Sequence, residues 1–448
     1  MIMKKRWVLK KGFTIVELLI VIVVIGILAA ITIVAYNGVT NNARIASVKS
    51  DLENSYKQLG VYKTGTSAND SYPTAIDCTA SPAANTICIK PSNGTTFYYT
   101  GGGTAFCLKA TLSNVTYTVS ANSNVAVSSG LCNAGYSSTF ATFTPGSSMS
   151  AITIDSSGNL YAVVNNAIKK ITPSGTVTNF AGTGVSGASD GPAASATFNN
   201  ITGLVFDSSG NLFVAEYGNN VIRKITTVGT VSTFAGSGAN GNADGTGTAA
   251  QFYHPQGITI DASNNLYVTT FFGNNVRKIS TAAVVTTFAG STSGSSGYLD
   301  ATGTSALFTF PSGISIDSTG NLIVTEGDTG NRIRKITTGG VVTTIAGSTT
   351  GAIGHASACG TAASYQLPYY VFVDKTTNTI YDSDMGYNSI RATDSSGCAT
   401  ILSGSGGAGS TNGSANVSSY TNPAGLVMDS TGNLYVVDGG SSLIRKLQ

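Results

Sequence analysis

Residues 203–236 read GLVFDSSGNLFVAEYGNNVIRKITTVGTVSTFAG. The stretch contains four short β-prone runs separated by turns, and its first turn is the DSSGN segment from Asp207 to Asn211. An aspartate side chain caps a chain reversal, while glycine and asparagine accept a positive φ. The stretch therefore predicts a sheet of four short strands.

The same unit occurs six times along the chain. Its aspartate recurs at spacings of 52, 54, 56, 57 and 55 residues, at Asp155, Asp207, Asp261, Asp317, Asp374 and Asp429. One such unit cannot bury its own faces, whereas radial stacking of several sheets buries them. The pattern resembles the NHL repeat, and this resemblance implies an all-β six-bladed propeller over residues 136–448.

The first and last strand-like runs of this region complement each other. The last repeat has three such runs, the third beginning at Leu443, and an additional run, FATF at Phe140–Phe143, precedes the first repeat. We expect the two runs to pair within one blade, because that pairing removes an exposed sheet edge.

Length and composition indicate the broad class. A chain of 448 residues is expected to form two or more domains, and 54 glycines with only 10% charged residues favour short strands over long amphipathic helices. The net charge of +3 includes five cations among the first eleven residues, so the remainder sums to 3 − 5 = −2. Net charge therefore does not indicate a polyanionic partner.

The N-terminal segment predicts a membrane-spanning helix. The run from Phe13 to Ala35 is apolar except for Glu17 and, as a helix, would extend roughly 34 Å. The basic cluster before it places the N-terminus in the cytoplasm. A carboxylate within a bilayer costs about 2.5–3.5 kcal/mol and requires a partner. Cleavage after Gly12 would create an α-amino group on Phe13, about 6 Å away along the helix.

The segment KGFTIVEL, residues 11–18, resembles the class III signal of type IV pilins and pseudopilins. The resemblance implies that a prepilin peptidase cleaves after Gly12 and methylates Phe13, and that Glu17 aligns neighbouring subunits during assembly. It also implies an α+β pilin module, with a long N-terminal helix and a small antiparallel sheet. The alternative is an ordinary membrane anchor with a chance acidic residue.

The predicted boundaries are a leader at 1–12, a transmembrane and stem helix at 13–60 and a pilin sheet region at 61–135. The β-prone runs of that sheet are Thr96–Tyr99, Ala105–Leu112 and Val115–Val119. The propeller follows from residue 136.

An even number of cysteines in an exported chain indicates disulfides. Cys78–Cys88 and Cys107–Cys132 are the preferred local pairs, although other pairings of these four stay open. Cys359 and Cys398 are expected to bridge a loop to a hairpin in the fifth repeat.

Two charged series recur with the repeats. The Arg/Lys series either forms a basic ring that binds DNA or an acidic polysaccharide, or pairs with the repeat aspartates. Matched periodicity favours the second interpretation, with the pairs Asp207–Arg223, Asp261–Arg277 and Asp317–Arg334. The acidic series is Glu216, Glu326, Asp384 and Asp438.

The acidic series has two interpretations as well. Convergent carboxylates could hold Ca²⁺ or serve a metal-dependent hydrolase, but such residues more often accept hydrogen bonds from backbone N–H groups. We favour the second interpretation, and expect no catalytic residue, cofactor or metal site. His254 and His355 are interpreted as structural or surface residues. The long loops around Asp190, Asp244 and Asp300 are the best candidates for ligand contact.

The sequence thus predicts a minor, modular type IV pilin subunit that displays a propeller for adhesion or surface recognition. Its expected partners are other pilin subunits, prepilin peptidase, the inner membrane before assembly, and a surface ligand that is a glycan, a protein or an abiotic surface. Nucleic acid is disfavoured. The expected location is the inner membrane as a single-pass protein and then an extracellular filament, near its tip.

Two alternatives stay open. A pseudopilin of a type II secretion or DNA-uptake system predicts an exposed basic face on the propeller. An envelope-tethered enzyme predicts clustered carboxylates in a deep central pocket.

Overall fold

The computed structural model describes residues 137–447 except 414 and 416, together with the backbone of five strands between residues 75 and 120. The chain divides into two compact units, 1–131 and 132–448. The predicted helix at 13–60, the site at Gly12, Phe13 and Glu17, and the side chains of the first four cysteines lie outside the described residues. Within the described part of the chain, no helix is long and apolar enough to cross a membrane.

The first unit contains a three-stranded antiparallel sheet and a short parallel pair. Its strands are β1 (Ala75–Ile76), β2 (Thr86–Ile87), β3 (Thr95–Gly102), β4 (Ala105–Leu112) and β5 (Val115–Ser120). Strands β3, β4 and β5 form a meander at the three predicted runs, so the prediction of a small antiparallel sheet here is confirmed.

The second unit is a six-bladed β-propeller, as predicted. Blade one comprises β7 (Met149–Ile154), β8 (Leu160–Val164), β9 (Asn166–Ile171) and β10 (Val177–Gly184). Blade two comprises β11 (Gly191–Pro192), β12 (Ile201–Phe206), β13 (Leu212–Glu216), β14 (Val221–Ile225) and β15 (Thr230–Ala235). Blade three comprises β16 (Gly245–Thr246), β17 (Pro255–Ile260), β18 (Leu266–Thr270), β19 (Asn275–Ile279) and β20 (Val284–Gly290). Blade four comprises β21 (Pro311–Ile316), β22 (Leu322–Glu326), β23 (Arg332–Ile336) and β24 (Val342–Gly347). Blade five comprises β25 (Pro368–Val373), β26 (Ile380–Asp384), β27 (Ser389–Thr393) and β28 (Ala399–Ser403). Blade six comprises β29 (Pro423–Met428), β30 (Leu434–Asp438) and β31 (Leu443–Leu447), together with β6 (Ser137–Thr142).

Five short 3₁₀ helices lie in loops of the propeller. They are η1 (Gly247–Ala249), η2 (Gly303–Ser305), η3 (Gly360–Ala362), η4 (Met385–Tyr387) and η5 (Gly439–Ser441).

The repeat aspartate closes the turn between the first two strands of each blade. In blade two, Asp207 Oδ1 accepts hydrogen bonds from the backbone N–H groups of Ser209 (2.9 Å) and Asn211 (2.8 Å). Its Oδ2 accepts a third from the Asn211 amide at 2.7 Å. Gly210 has a φ of +83°, which confirms the predicted need for a residue that tolerates the left-handed region.

The core lies between neighbouring blades. Phe213 and Ile222 of blade two, for example, pack with Ile258 and Val268 of blade three. The innermost strand of each blade contacts that of the next, and contacts between β29 and β7 close the ring. The inner strands surround a central channel lined largely by backbone and aliphatic side chains.

The ring is closed by a blade built from both ends of the domain. Strand β6 pairs antiparallel with β31, with Ser137 opposite Leu447 and Thr142 opposite Leu443. The predicted pairing of these two runs is confirmed. Blade six therefore has four strands, like its neighbours.

Candidate functional site

One end of the propeller, called here the loop face, carries the long loops that enter the inner strands. These loops are residues 185–200, 236–254, 291–310, 348–367 and 404–422. In each blade the end of the second strand pairs with the start of the first, as Glu216 does with Ile201. The short turns after the second strands therefore lie at the same end.

A buried arginine holds each of these long loops. The five arginines have no exposed surface and are Arg223, Arg277, Arg334, Arg391 and Arg445. In blade two, Arg223 donates from Nη1 to the Thr197 carbonyl at 3.3 Å and from Nη2 to the Ser189 carbonyl at 3.0 Å. Its guanidinium also lies 5.3 Å from the ring centroid of Phe198 in the same loop. The loops are thus tied to the blade sheets.

The ion pairs differ from the sequence prediction. The predicted pairs Asp207–Arg223, Asp261–Arg277 and Asp317–Arg334 are wrong. The arginines bind loop aspartates instead, in the pairs Arg223–Asp190, Arg277–Asp244 and Arg334–Asp300. The repeat aspartates lie at the opposite end of the blade, where turn N–H groups occupy their oxygens. Among the described residues, the cation that forms an ion pair with Asp317 is Lys335, at 3.5 Å.

Burial also excludes the arginines of the basic series from a ring at the surface, whereas the lysines beside them, such as Lys224 and Lys278, are half-buried. A polyanion requires accessible cations, and these five guanidinium groups are enclosed by carbonyls, carboxylates and aromatic rings. They therefore do not form a basic ring at the surface.

The acidic series has a structural role. Glu216 accepts the Asn199 backbone N–H at 2.9 Å, and Asp438 accepts that of Thr421 at 2.7 Å. Glu216 also pairs with Arg223 at 2.7 Å. Burial raises the pKa of Glu216, while the Arg223 guanidinium opposes that rise. Among the described residues, no three His, Cys, Asp or Glu side chains are grouped so as to hold a metal ion.

A cavity of about 490 Å³ opens at the loop face. Residues of blades one, two, three, five and six line it, namely Ser148, Met149, Ser150, Asn200, Thr202, Tyr217, Gln256, Tyr369, Tyr370, Met385, Asn422, Ala424, Gly439 and Gly440. None of these side chains carries a charge at neutral pH. The cavity is therefore a polar but uncharged site with aromatic walls.

An aromatic cluster extends outward from the cavity. Tyr217, in its wall, stacks on His254 with ring centroids 4.1 Å apart and planes 11° apart. Phe271 stacks on Phe310 at 4.9 Å and lies 6.4 Å from Tyr369, another wall residue. Half-buried aromatic rings at a cavity mouth are typical of small-molecule sites.

Gln256 is the buried polar residue of the cavity. The residue is 1% exposed, and its Oε1 atom has no hydrogen-bond partner among the residues that the structure describes. Buried polar atoms in native proteins are almost always paired with protein, water or a ligand. Gln256 thus places a buried, unpaired amide oxygen beside the cavity.

In five blades, a residue just before the inner strand adopts the left-handed backbone conformation. The φ angle is positive at Asn200, His254, Phe310, Leu367 and Asn422. Asparagine tolerates this region, whereas bulky residues there cost about 1–3 kcal/mol. Blades three and four thus place aromatic side chains where blades two and six place asparagine. The conformation recurs in five blades and is therefore a feature of the repeat.

The N-terminal segment of the chain matches a known protein family. Residues 9–33 match the prokaryotic N-terminal methylation motif. The methylation motif includes Gly12, Phe13 and Glu17, so the chain joins a type IV pilin signal to a six-bladed β-propeller. Among curated proteins, none shows significant sequence similarity to the chain.

Solved structures similar to this chain are distant in sequence. An auxiliary nutrient binding protein from Bacteroides thetaiotaomicron has a TM-score of 0.53 at 13% identity, over 79% of this chain and 88% of that one. A counterpart from Bacteroides ovatus has 0.52 at 12%, over 77% and 83%. A putative phosphatase from Bacteroides thetaiotaomicron has 0.51 at 12%, over 78% and 87%. These similarities show the fold alone and do not choose between binding and catalysis.

Sequence reasoning missed most of the cavity. It directed attention to the loops around Asp190, Asp244 and Asp300, but these aspartates bind the buried arginines. It interpreted His254 as a structural or surface residue, and this ring stacks on the cavity-wall residue Tyr217. The available signal was the residue after each second strand, which is aromatic at Tyr217 and Phe271.

Proposed function

We propose that this chain is a minor type IV pilin that displays its propeller outside the cell as an adhesion and recognition module. The observation that carries the proposal is the methylation motif joined, in one chain, to a propeller whose loop face holds an uncharged cavity. In this proposal, prepilin peptidase cleaves after Gly12 and methylates Phe13. Glu17 then meets an N-terminal amino group, its own or that of a neighbouring subunit.

The size of the propeller supports a minor role. A globular domain of roughly 310 residues has a diameter near 50 Å by compactness scaling. Helical packing of pilin stems would crowd such a domain if every subunit carried one. The propeller is therefore expected on few subunits, near the filament tip, with other pilins as partners.

The cavity chemistry supports recognition over hydrolysis. Its lining side chains include serine and threonine hydroxyl groups, but no carboxylate, histidine or cysteine side chain that would act as a general base to activate them. The buried arginines likewise give no support to the basic face expected of a DNA-uptake component.

The test is localisation combined with adhesion. Gold-labelled antibody against the propeller is expected to mark filament ends, and cells lacking the chain are expected to lose attachment to a surface that the parent colonises. Restoring the full chain should restore attachment. Label confined to the cell envelope, with attachment unchanged on deletion, would contradict the proposal.

A further inference from the structure

We infer that the loop-face cavity binds an uncharged carbohydrate, with Tyr217 as its stacking platform and Gln256 as a buried hydrogen-bond acceptor. The inference rests on the proposed recognition function for its biological setting and adds the ligand class and the residues that select it.

The charge of the cavity selects the class. A phosphate, a sulfated glycan or a nucleic acid would lose its hydration on entering and would find no cation among the lining residues. The nearby cation Arg223 is fully buried and bound by Asp190 and Glu216. An uncharged ligand enters without that loss.

The aromatic walls fit the shape of a sugar ring. A pyranose has faces of C–H groups, which pack on an aromatic ring, and an edge of hydroxyl groups, which require hydrogen bonds. The stack on His254 fixes the orientation of the Tyr217 ring. Tyr369 provides a second aromatic wall, and burial raises its pKa to about 12. Its hydroxyl group therefore stays protonated and can donate.

The polar groups fit the hydroxyl edge. Gln256 lines the cavity, and its buried Oε1 has no partner among the described residues, so the amide accepts a hydrogen bond from a ligand hydroxyl once it turns toward the cavity. Asn200 and Asn422 add amide groups at the exposed rim of the cavity. Amides both donate and accept, as sugar hydroxyls do. The cavity of about 490 Å³ lies within the range of small-molecule sites and has room for roughly one or two sugar rings.

His254 and Phe310 occupy the position before the inner strand that also has a positive φ at Asn200, Leu367 and Asn422, so this backbone conformation is a recurring feature of the fold. His254 contacts the platform Tyr217, and Phe310 contacts Phe271 of the same aromatic cluster. Blades three and four therefore add aromatic side chains beside the cavity wall.

The experiment uses the full-length protein in detergent micelles and measures binding to neutral hexose and N-acetylhexosamine oligosaccharides beside sialylated and sulfated counterparts. The variants are Tyr217→Ala and Gln256→Leu. The matched control is Tyr387→Ala, because Tyr387 stacks on His355 at 4.0 Å and 10°, as Tyr217 does on His254, but does not line the cavity.

We expect neutral oligosaccharides to bind, with affinity at least tenfold weaker in Tyr217→Ala and Gln256→Leu and unchanged in Tyr387→Ala. Gln256→Leu replaces a buried unpaired group with an apolar one of similar size, so it should fold even if Tyr217→Ala does not. Binding of acidic glycans only, no binding of neutral ones, or equal binding by Gln256→Leu would overturn the inference.

Failure of the proposed ligand class and failure of the proposed adhesion function give different results. If no neutral sugar binds but deletion of the chain still abolishes attachment, the recognition function stands and the ligand class is wrong. If neutral sugars bind through Gln256 but deletion leaves attachment unchanged, the ligand class stands and the adhesion function is wrong.

Discussion

Cys359 and Cys398 form a disulfide at a position where other blades have only a backbone contact. In blade four, the corresponding residues Thr302 and Val341 form an isolated β-bridge between the entering loop and the outer hairpin, and Cys359 and Cys398 form the same bridge. Two residues before Cys359 lies Ser357, where blade four has Asp300. The disulfide thus joins the loop to the blade where the aspartate–arginine pair is missing, and it confirms the predicted bridge.

Loss of this disulfide should destabilise the propeller. The bridge closes a loop with a sequence separation of 39 residues, for which we expect the double variant Cys359→Ser/Cys398→Ser to lose about 2–4 kcal/mol in the free energy of unfolding. Adding Ser357→Asp should recover part of that loss by providing a carboxylate for Arg391. Denaturant titration measures both. An unchanged midpoint in the double variant would refute a stabilising role.

The loop aspartates should differ in importance between blades. Arg223 has two carboxylate partners, Asp190 and Glu216, whereas Arg277 has only Asp244, because Thr270 replaces the glutamate. Asp244→Ala leaves a buried guanidinium without a carboxylate, so it should cost about 1–3 kcal/mol more than Asp190→Ala. Chemical denaturation of the two variants compares them directly. Equal losses would show that the loop carbonyls alone hold these arginines.

A double-mutant cycle tests the corrected ion pairing. Asp190→Ala and Arg223→Lys should be coupled by about 0.5–3 kcal/mol, because the two side chains are in contact. Asp207→Ala and Arg223→Lys should be additive within about 0.5 kcal/mol, since Asp207 caps a turn at the other end of the blade. Strong coupling of Asp207 with Arg223 would instead restore the pairing suggested by the sequence.

Blade five should make stability depend on pH. Burial raises the pKa of Asp382 and of Asp384 well above the usual range, and Arg391 opposes this only in part. The folded state therefore binds these protons more tightly than the unfolded state. Their contribution to stability is present below about pH 4 and is lost as the pH rises toward 8.

Asp382→Val should reduce that pH dependence. The equivalent residues in four other blades are valines, namely Val214, Val268, Val324 and Val436. In the described part of the chain, neither carboxylate oxygen of Asp382 has a hydrogen-bond partner, so valine should raise the free energy of unfolding at pH 8 by about 1–3 kcal/mol. Denaturation at pH 5 and pH 8 measures the effect. Parallel pH profiles for the two proteins would contradict this account.

The sequence predicted the strands, the blade number and the ring closure because those depend on local chemistry. Turn residues such as Asp207 and Gly210 and the apolar runs beside them act within a few residues. The arginine partners were not predictable in the same way, because Asp190 and Arg223 are 33 residues apart and the loop between strands has no periodicity. The cavity was harder still. Tyr217, Gln256 and Tyr369 belong to three different blades, and only the closed ring brings them together.

In the proposed function, this chain is processed as a pilin and incorporated into a filament. Mass spectrometry of the N-terminal peptide from sheared surface filaments tests both steps. The account predicts a peptide that begins at N-methylated Phe13, together with peptides of the propeller in the same fraction. A chain that retains residues 1–12 and is found only in the cell membrane would contradict it.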